Sequence, residues 1–316
     1  MNAGSSRSTT RAIAISPSWR ALMTSHQLGD IAIARIVERE EPAFTVAGLL
    51  PDATPETLAP HRSWLEPKAL DPATGLLILP IQSYVVRTRR HNILIDGCLG
   101  EDKTCRWQMR WHKMRDLRFL SDLAALGLAP EDIDFVLCTH LHGDHVGWNT
   151  RLVNGRWVPT FPNARYVISR RELAYWEDYN KTASAEGYEE CIDESVLPVV
   201  ASGQALLVNE DHALDDEVWL EPLPGHTPGH FGVRLRSKGA EAIMIGDLMH
   251  SPVQCAEPHW RGGSDDDPAL ARQVRRRFLD AHAETDKLVL TAHFPSPSVG
   301  FIRRKDSSFR FEYVPG

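Results

Sequence analysis

Cysteine is scarce in this chain of 316 residues: five are present, Cys98, Cys105, Cys138, Cys191 and Cys255, an odd number with no CxxC pair. That usage excludes a disulfide framework and makes a reducing cytoplasm the expected compartment. No apolar run approaches the ~20 residues of a membrane-spanning helix, so no membrane partner is expected. The N-terminal stretch is rich in Ser, Thr and Arg and lacks the roughly 7–15-residue apolar centre of a secretory signal. Residues 1–26 are therefore expected to form a flexible tail. An excess of positive charge is missing too. Lys and Arg total 35 against 42 Asp and Glu, a net charge of -7, which excludes non-specific binding to nucleic acid. With 42% hydrophobic and 24% charged residues, the composition is globular and excludes collagen-like, coiled-coil and wholly disordered chains.

What is present reads as mixed α/β. Residues 27–36 carry Ile31, Ile33 and Ile36 and predict a first strand. Residues 38–75 contain Pro42, Pro51, Pro55, Pro60, Pro67 and Pro72. Proline removes backbone donors, so this segment is expected to be loop or short helical turns outside any sheet core. Beyond it, β-branched runs predict strands at 77–81, 83–87, 92–96, 135–138, 165–169, 218–222, 232–235, 242–245 and 288–290. Apolar periodicity predicts helices over 114–128, 171–179 and 268–283. The last has Asp267 as N-cap, Pro268 at its first position, and Leu270, Val274, Phe278 and Ala281 facing inward. Residues 27–316 are expected to form a single catalytic domain, with no internal repeat or linker.

The chemistry gathers in Thr139-His140-Leu141-His142-Gly143-Asp144-His145. Three imidazoles and a carboxylate fall within six residues, directly after an apolar strand. Alternation puts His140 and His142 on one side of an extended chain, and Gly143 allows a turn that brings Asp144 and His145 back toward them. Neutral imidazole and carboxylate are the ligand types of zinc in hydrolytic sites. His226, Asp247 and His293 each follow a predicted strand, where open α/β sheets place their ligands.

This set, in this order, resembles the metallo-β-lactamase superfamily over nearly the whole chain from about residue 27. The resemblance implies an αββα sandwich, two facing mixed β-sheets with outer helices. It implies a dinuclear centre, with one metal held by His140, His142 and His226, the second by Asp144, His145 and His293, and Asp247 between them. Asp96 matches a position behind the metals and is expected to orient an imidazole. More narrowly, the chain is similar to the branch of N-acyl-homoserine lactonases and methyl parathion hydrolase. His250 stands three residues after Asp247, where those lactonases often carry tyrosine, which favours the parathion-hydrolase side.

The implied activity is hydrolysis of a small ester or lactone by a hydroxide shared between two Zn2+ ions; manganese, iron and cobalt suit the same ligands. Asp144 is the expected proton shuttle, and His250 is expected either to contact the substrate or to pack beside Asp247. A phosphotriesterase is the alternative, and a mononuclear iron oxidoreductase of the same fold a third reading. Trp107, Trp111 and Phe294 are candidate pocket walls, His230 a structural residue, and Arg275–Arg277 a solvated basic patch. The proline-rich segment is expected either to cross to a partner subunit in a homodimer or to overhang its own site.

Overall fold

The computed structural model describes residues 26–115 and 118–315. In chain order the first sheet takes β1 (His26–Leu28), β2 (Ile31–Thr45), β3 (Leu76–Arg87), β4 (Asn92–Ile95) and β5 (Phe135–Leu137). After a separate hairpin of β6 (Thr150–Val153) and β7 (Arg156–Pro159), it takes β8 (Arg165–Ser169) and β9 (Ala205–Val208). The second sheet holds β10 (Val218–Pro222), β11 (Phe231–Ser237), β12 (Ala240–Met244), β13 (Leu288–Leu290), β14 (Val299–Lys305) and β15 (Ser308–Tyr313). The helices are α1 (Val46–Leu49), α2 (Pro55–Leu65), α3 (Phe119–Ala125), α4 (Gly143–Val146), α5 (Arg170–Thr182), α6 (Leu197–Ala201), α7 (Val253–Ala256) and α8 (Pro268–His282).

Strand alternation explains the layering. Ile31, Ile33, Tyr84, Val86, Ile93, Ile95, Leu137 and Val167 point inward and meet Val218, Leu220, Val233, Leu235, Met244 and Leu290 of the second sheet. Their neighbours Ala34, Ile36, Val85, Leu94, Val136, Tyr166 and Ile168 point outward, onto Phe119 and Leu123 of α3 and Leu173 and Trp176 of α5. Ile243, Ile245 and Val289 of the second sheet pack under Val274, Phe278 and Leu279 of α8. Apolar residues on both faces of both sheets give the expected αββα sandwich.

Several expectations need correction. The proline-rich segment is largely ordered secondary structure. β2 runs to Thr45 and pairs with β3 to its end, with register shifts between Val37 and Arg39 and between Pro42 and Phe44. β1 covers only the first residues of β2, and β4 only Tyr84–Arg87 of β3. The outer half is thus a two-stranded ribbon, and half of its backbone N–H groups face away from the pairing. Pro42 and Pro80 are tolerated there for that reason. The two strands expected within 77–87 are one continuous strand. Pro55 opens α2 behind a Thr54 cap, and Pro60 is accommodated inside it. The 114–128 helix shortens to α3, and Leu117 lies outside the described residues. So does the expected tail, except His26, which opens β1. In α8 the Asp267 carboxylate accepts the Leu270 N–H at 3.0 Å as expected, but Ala281 is exposed and Leu270 half-buried. Arg275 is fully buried, contrary to the expected solvated patch.

Candidate metal centre

Five strand ends deliver the site. β4 leads into Asp96, β5 into the His140–His145 run, β10 toward His226, β12 into Asp247 and β13 into His293. β4 and β5 are adjacent and parallel in one sheet, β12 and β13 in the other, so their C-terminal ends open on the same edge. The Phe231 N–H donates to the Thr139 carbonyl at 3.0 Å and joins the two sheets beside the histidine run.

Locally, His142 immediately precedes the short helix α4, which turns Asp144 and His145 back toward His140. The tightest glycine is Gly147, whose Cβ would fall 1.9 Å from the Leu99 carbonyl oxygen. Gly246 precedes Asp247 with φ +51°, and a Cβ there would sit 2.5 Å from His230 Nε2. Only glycine relieves both the conformation and the contact.

All seven expected donors converge. His142 Nδ1 lies 3.0 Å from His140 Nε2 and 2.9 Å from His226 Nε2. Across the cavity, His293 Nε2 is 3.3 Å from His145 Nε2 and 3.7 Å from Asp144 Oδ2, and Asp144 Oδ1 is 3.7 Å from His145 Nε2. Asp247 stands between the sets. Its Oδ2 is 3.1 Å from His293, 3.5 Å from His226 and 3.8 Å from His140, and its Oδ1 is 3.3 Å from His145. In each set the donor atoms lie within 4.8 Å of one another.

The far ring nitrogens fix which atoms face inward. His145 Nδ1 donates to Asp96 Oδ2 at 2.9 Å, and His293 Nδ1 to the Pro80 carbonyl at 2.9 Å. His226 Nδ1 donates to Asp265 Oδ1 at 3.1 Å. Thr139 Oγ1 donates to Asp96 Oδ2 at 3.0 Å and can then accept from His140 Nδ1 at 3.1 Å. Asp96 therefore supports two imidazoles, one directly and one through Thr139. With Nδ1 protonated, the Nε2 atoms of His140 and His226 each present a lone pair, and both face His142 Nδ1 within 3.0 Å. A single N–H on His142 can serve one of them, so at least one lone pair is left without a proton, a place that suits a cation. The Oδ1 of Asp247 is buried without a hydrogen-bond partner among the described residues. Both observations fit bound divalent cations.

The electrostatics differ between the two sets. Burial, helped by neighbouring imidazoles, holds His140 and His142 well below the usual histidine range, in the neutral form that ligation needs. Burial works against protonation of His145 and His293 as well, but Asp247 and Asp144 overcome it and raise both. Burial disfavours the Asp247 anion, yet His145, His293 and His140 hold its carboxyl well below the usual range.

His250 lies at the edge of this group, its Nε2 3.3 Å from Asp247 Oδ2. His230 is structural as expected: Nδ1 donates to the Leu223 carbonyl and Nε2 accepts the Asp247 N–H, each at 2.9 Å. A cavity of about 260 Å³ opens above the donors, walled by Phe44, Leu49, Leu79 and Trp107. Phe44 and Leu49 come from the proline-rich segment, which thus supplies part of the cavity wall. Trp111 is instead buried behind the wall, its Nε1 donating to Glu41. Phe294 packs edge-on against Phe311 under the second sheet and does not line the cavity.

Two buried carboxylates escaped the sequence reading. Glu172 accepts the Leu141 N–H at 3.2 Å and the Gly229 N–H at 2.9 Å, tying two donor loops together. In the sequence it looks like an ordinary first-turn acid behind the Ser169 cap. Asp265 stands in an Asp-Asp-Asp run before α8, where the capping residue Asp267 hides it.

The described residues contain no helix long and apolar enough to cross a membrane. Comparison with known proteins follows the same lines. An N-acyl homoserine lactonase of a Bacillus species is 24% identical over 180 residues, covering 54% of this chain; the chain spans only 64% of that protein's length. N-acyl homoserine lactonase AttM of Agrobacterium fabrum is 26% identical over 71% of this chain and 85% of its own. Among solved structures, hydrolase AbOPH of the beta lactamase superfamily superposes with a TM-score of 0.77 at 26% identity, covering 92% of this chain and 97% of that one. AidC, a dizinc quorum-quenching lactonase, superposes at 0.73 with 22% identity over 93% and 97% of the two chains, a likeness of fold. The family model of the metallo-beta-lactamase superfamily matches residues 77–293, from β3 to the last of the converging histidines, and the chain belongs to that superfamily.

Proposed function

We propose that this protein is a metal-dependent hydrolase of a small ester or lactone, working with two divalent cations, zinc by preference. The observation that carries this reading is the pair of donor sets sharing Asp247: His140, His142 and His226 would hold one ion, and Asp144, His145 and His293 the other. Such ions polarise a carbonyl oxygen and lower the pKa of water from about 15.7 toward about 7, so no serine or cysteine nucleophile is needed. The chain's own residues do the rest. Asp96, Asp265 and the Pro80 carbonyl aim the imidazoles. Leu49, Leu79, Phe44 and Trp107 exclude water and receive the apolar part of the substrate. Asp144, half-buried at the cavity, is placed to carry a proton to the leaving group, and His250 to contact the substrate beside Asp247.

The lactonase relatives support the carbonyl reading. Phosphotriesters are the second reading, favoured by His250 three residues after Asp247, because the same donors suit a phosphoryl oxygen. Five free cysteines, all buried, support a reducing compartment such as the cytoplasm. The test is a panel of homoserine lactones, aryl esters and paraoxon-type triesters, before and after exhaustive chelation. Lactone or ester turnover that chelation abolishes and zinc restores is the expected result. Full activity after chelation overturns the reading.

A further inference from the structure

We propose that Asp265, gripped by Arg275, is the positioning residue of one half of the metal centre, and that helix α8 thereby sets the affinity for the ion at His140, His142 and His226. The inference rests on the metal-centre reading and deepens it: neither residue lines the cavity.

Both side chains are completely buried. Asp265 receives His226 Nδ1–H on Oδ1 at 3.1 Å and the Gly262 N–H on Oδ2 at 2.7 Å. Arg275 reaches the same Oδ2 at 3.5 Å. The rest of its guanidinium donates to backbone carbonyls: Nε to Leu248 at 2.9 Å, and one terminal nitrogen to Trp260 at 2.6 Å and Pro258 at 3.2 Å. A buried carboxylate without a counter-charge is strongly destabilising, so the two residues stand as a unit. Arginine suits the place because its planar fork serves several acceptors at once.

The arrangement is one-sided. Asp96 serves His145 directly and His140 through Thr139, and His293 rests on a main-chain carbonyl. His226 alone among these depends on a carboxylate tied to α8. The same guanidinium holds Leu248, the residue after Asp247. One side chain on α8 therefore steadies both the His226 ring and the turn that presents the shared aspartate.

The experiment uses the full chain and its Asp265→Asn and Arg275→Lys variants. Zinc and cobalt(II) are titrated against a chromophoric chelator, and circular dichroism checks folding. Wild type is expected to take up two ions. Asp265→Asn is expected to weaken one ion about 10–100-fold and spare the other. Arg275→Lys, which keeps the charge but not the fork, is expected to weaken the same ion by less, and the second ion only as far as the Leu248 turn loosens. Folded variants that hold both ions as tightly as wild type overturn the inference and leave the metal centre standing; a wild type that takes up no ion removes the metal centre itself. Should the variants not fold, nitrogen NMR of the metal-free wild-type protein decides: His226 protonated at Nδ1, toward Asp265, is expected, and protonation at Nε2 overturns the inference.

Discussion

His250 and Asp247 meet at the cavity floor, with Nε2 of the histidine 3.3 Å from Oδ2 of the aspartate, and His250 Nδ1 buried without a hydrogen-bond partner among the described residues. A buried polar atom without a partner is costly, and His250 lines the cavity. His250→Phe is expected to lower kcat on the order of 100-fold while metal content holds. Unchanged kcat/KM would remove the active role, and loss of an ion would make His250 a ligand.

Asp247 faces donors of both sets, so its loss is not confined to one of them. Asp247→Ala is expected to abolish both metal uptake and turnover. Metal analysis of the purified variant is the check; two ions per chain with full activity contradict the site as described.

Asp96 supports His145 directly and His140 through Thr139, and its Oδ1 accepts the Thr139 N–H at 2.8 Å. Asp96→Ala is expected to weaken metal binding about 10–100-fold. It also orphans a buried N–H, at roughly 1–3 kcal/mol, so the melting temperature of the metal-free protein is expected to fall. A melting temperature equal to wild type would show that Thr139 finds another partner.

Trp107 stands 45% exposed at the cavity mouth, stacked on Phe44 with ring centroids 6.3 Å apart. Trp107→Ala removes apolar wall without touching the donors. KM is expected to rise about tenfold with kcat little changed, the signature of lost uniform binding. Steady-state kinetics decide, and a fall in kcat at constant KM is the contrary result.

Glu38 lies half-buried behind the site, where desolvation pushes its carboxyl up to about 7, although Leu99 N–H, Trp148 Nε1–H and Gly100 N–H all donate to it and oppose the rise. The folded protein keeps the proton to about pH 7, whereas the unfolded chain releases it near 4.5. Between those values the folded state binds more protons, so stability falls as pH rises, by about 3 kcal/mol, and levels off above. Glu38→Gln is expected to flatten that slope in denaturant melts run from pH 4.5 to 8. An identical slope in the variant assigns the dependence elsewhere.

The candidate ligands were legible because each is a chemically distinctive side chain close behind an apolar strand, and strand ends are where such sheets place them. β8, β10 and β13 were readable to the residue for the same reason: short apolar runs with polar edges. Partners set by tertiary contact were not. Asp265 and Arg275 are 39 and 49 positions beyond His226 and look like a cap cluster and a surface charge; only the packing of α8 buries them. Proline also misled at β2, since whether a missing N–H matters depends on which edge of the ribbon it faces. Phe294 illustrates the converse error. Adjacency to His293 suggested the cavity, but both lie in the bend beyond β13, and there Phe294 packs against Phe311 in the core under the second sheet.

One consequence follows from the site drawing its donors from both sheets. The histidine run belongs to the first and His226, Asp247 and His293 to the second, so a cation held by both would rivet the sandwich across its seam. On the proposed metal reading the halves could not hinge open like a book without letting go of their cargo. Ion release and separation of the layers would then be one event, and the loaded protein would gain resistance to unfolding in proportion to the logarithm of free metal.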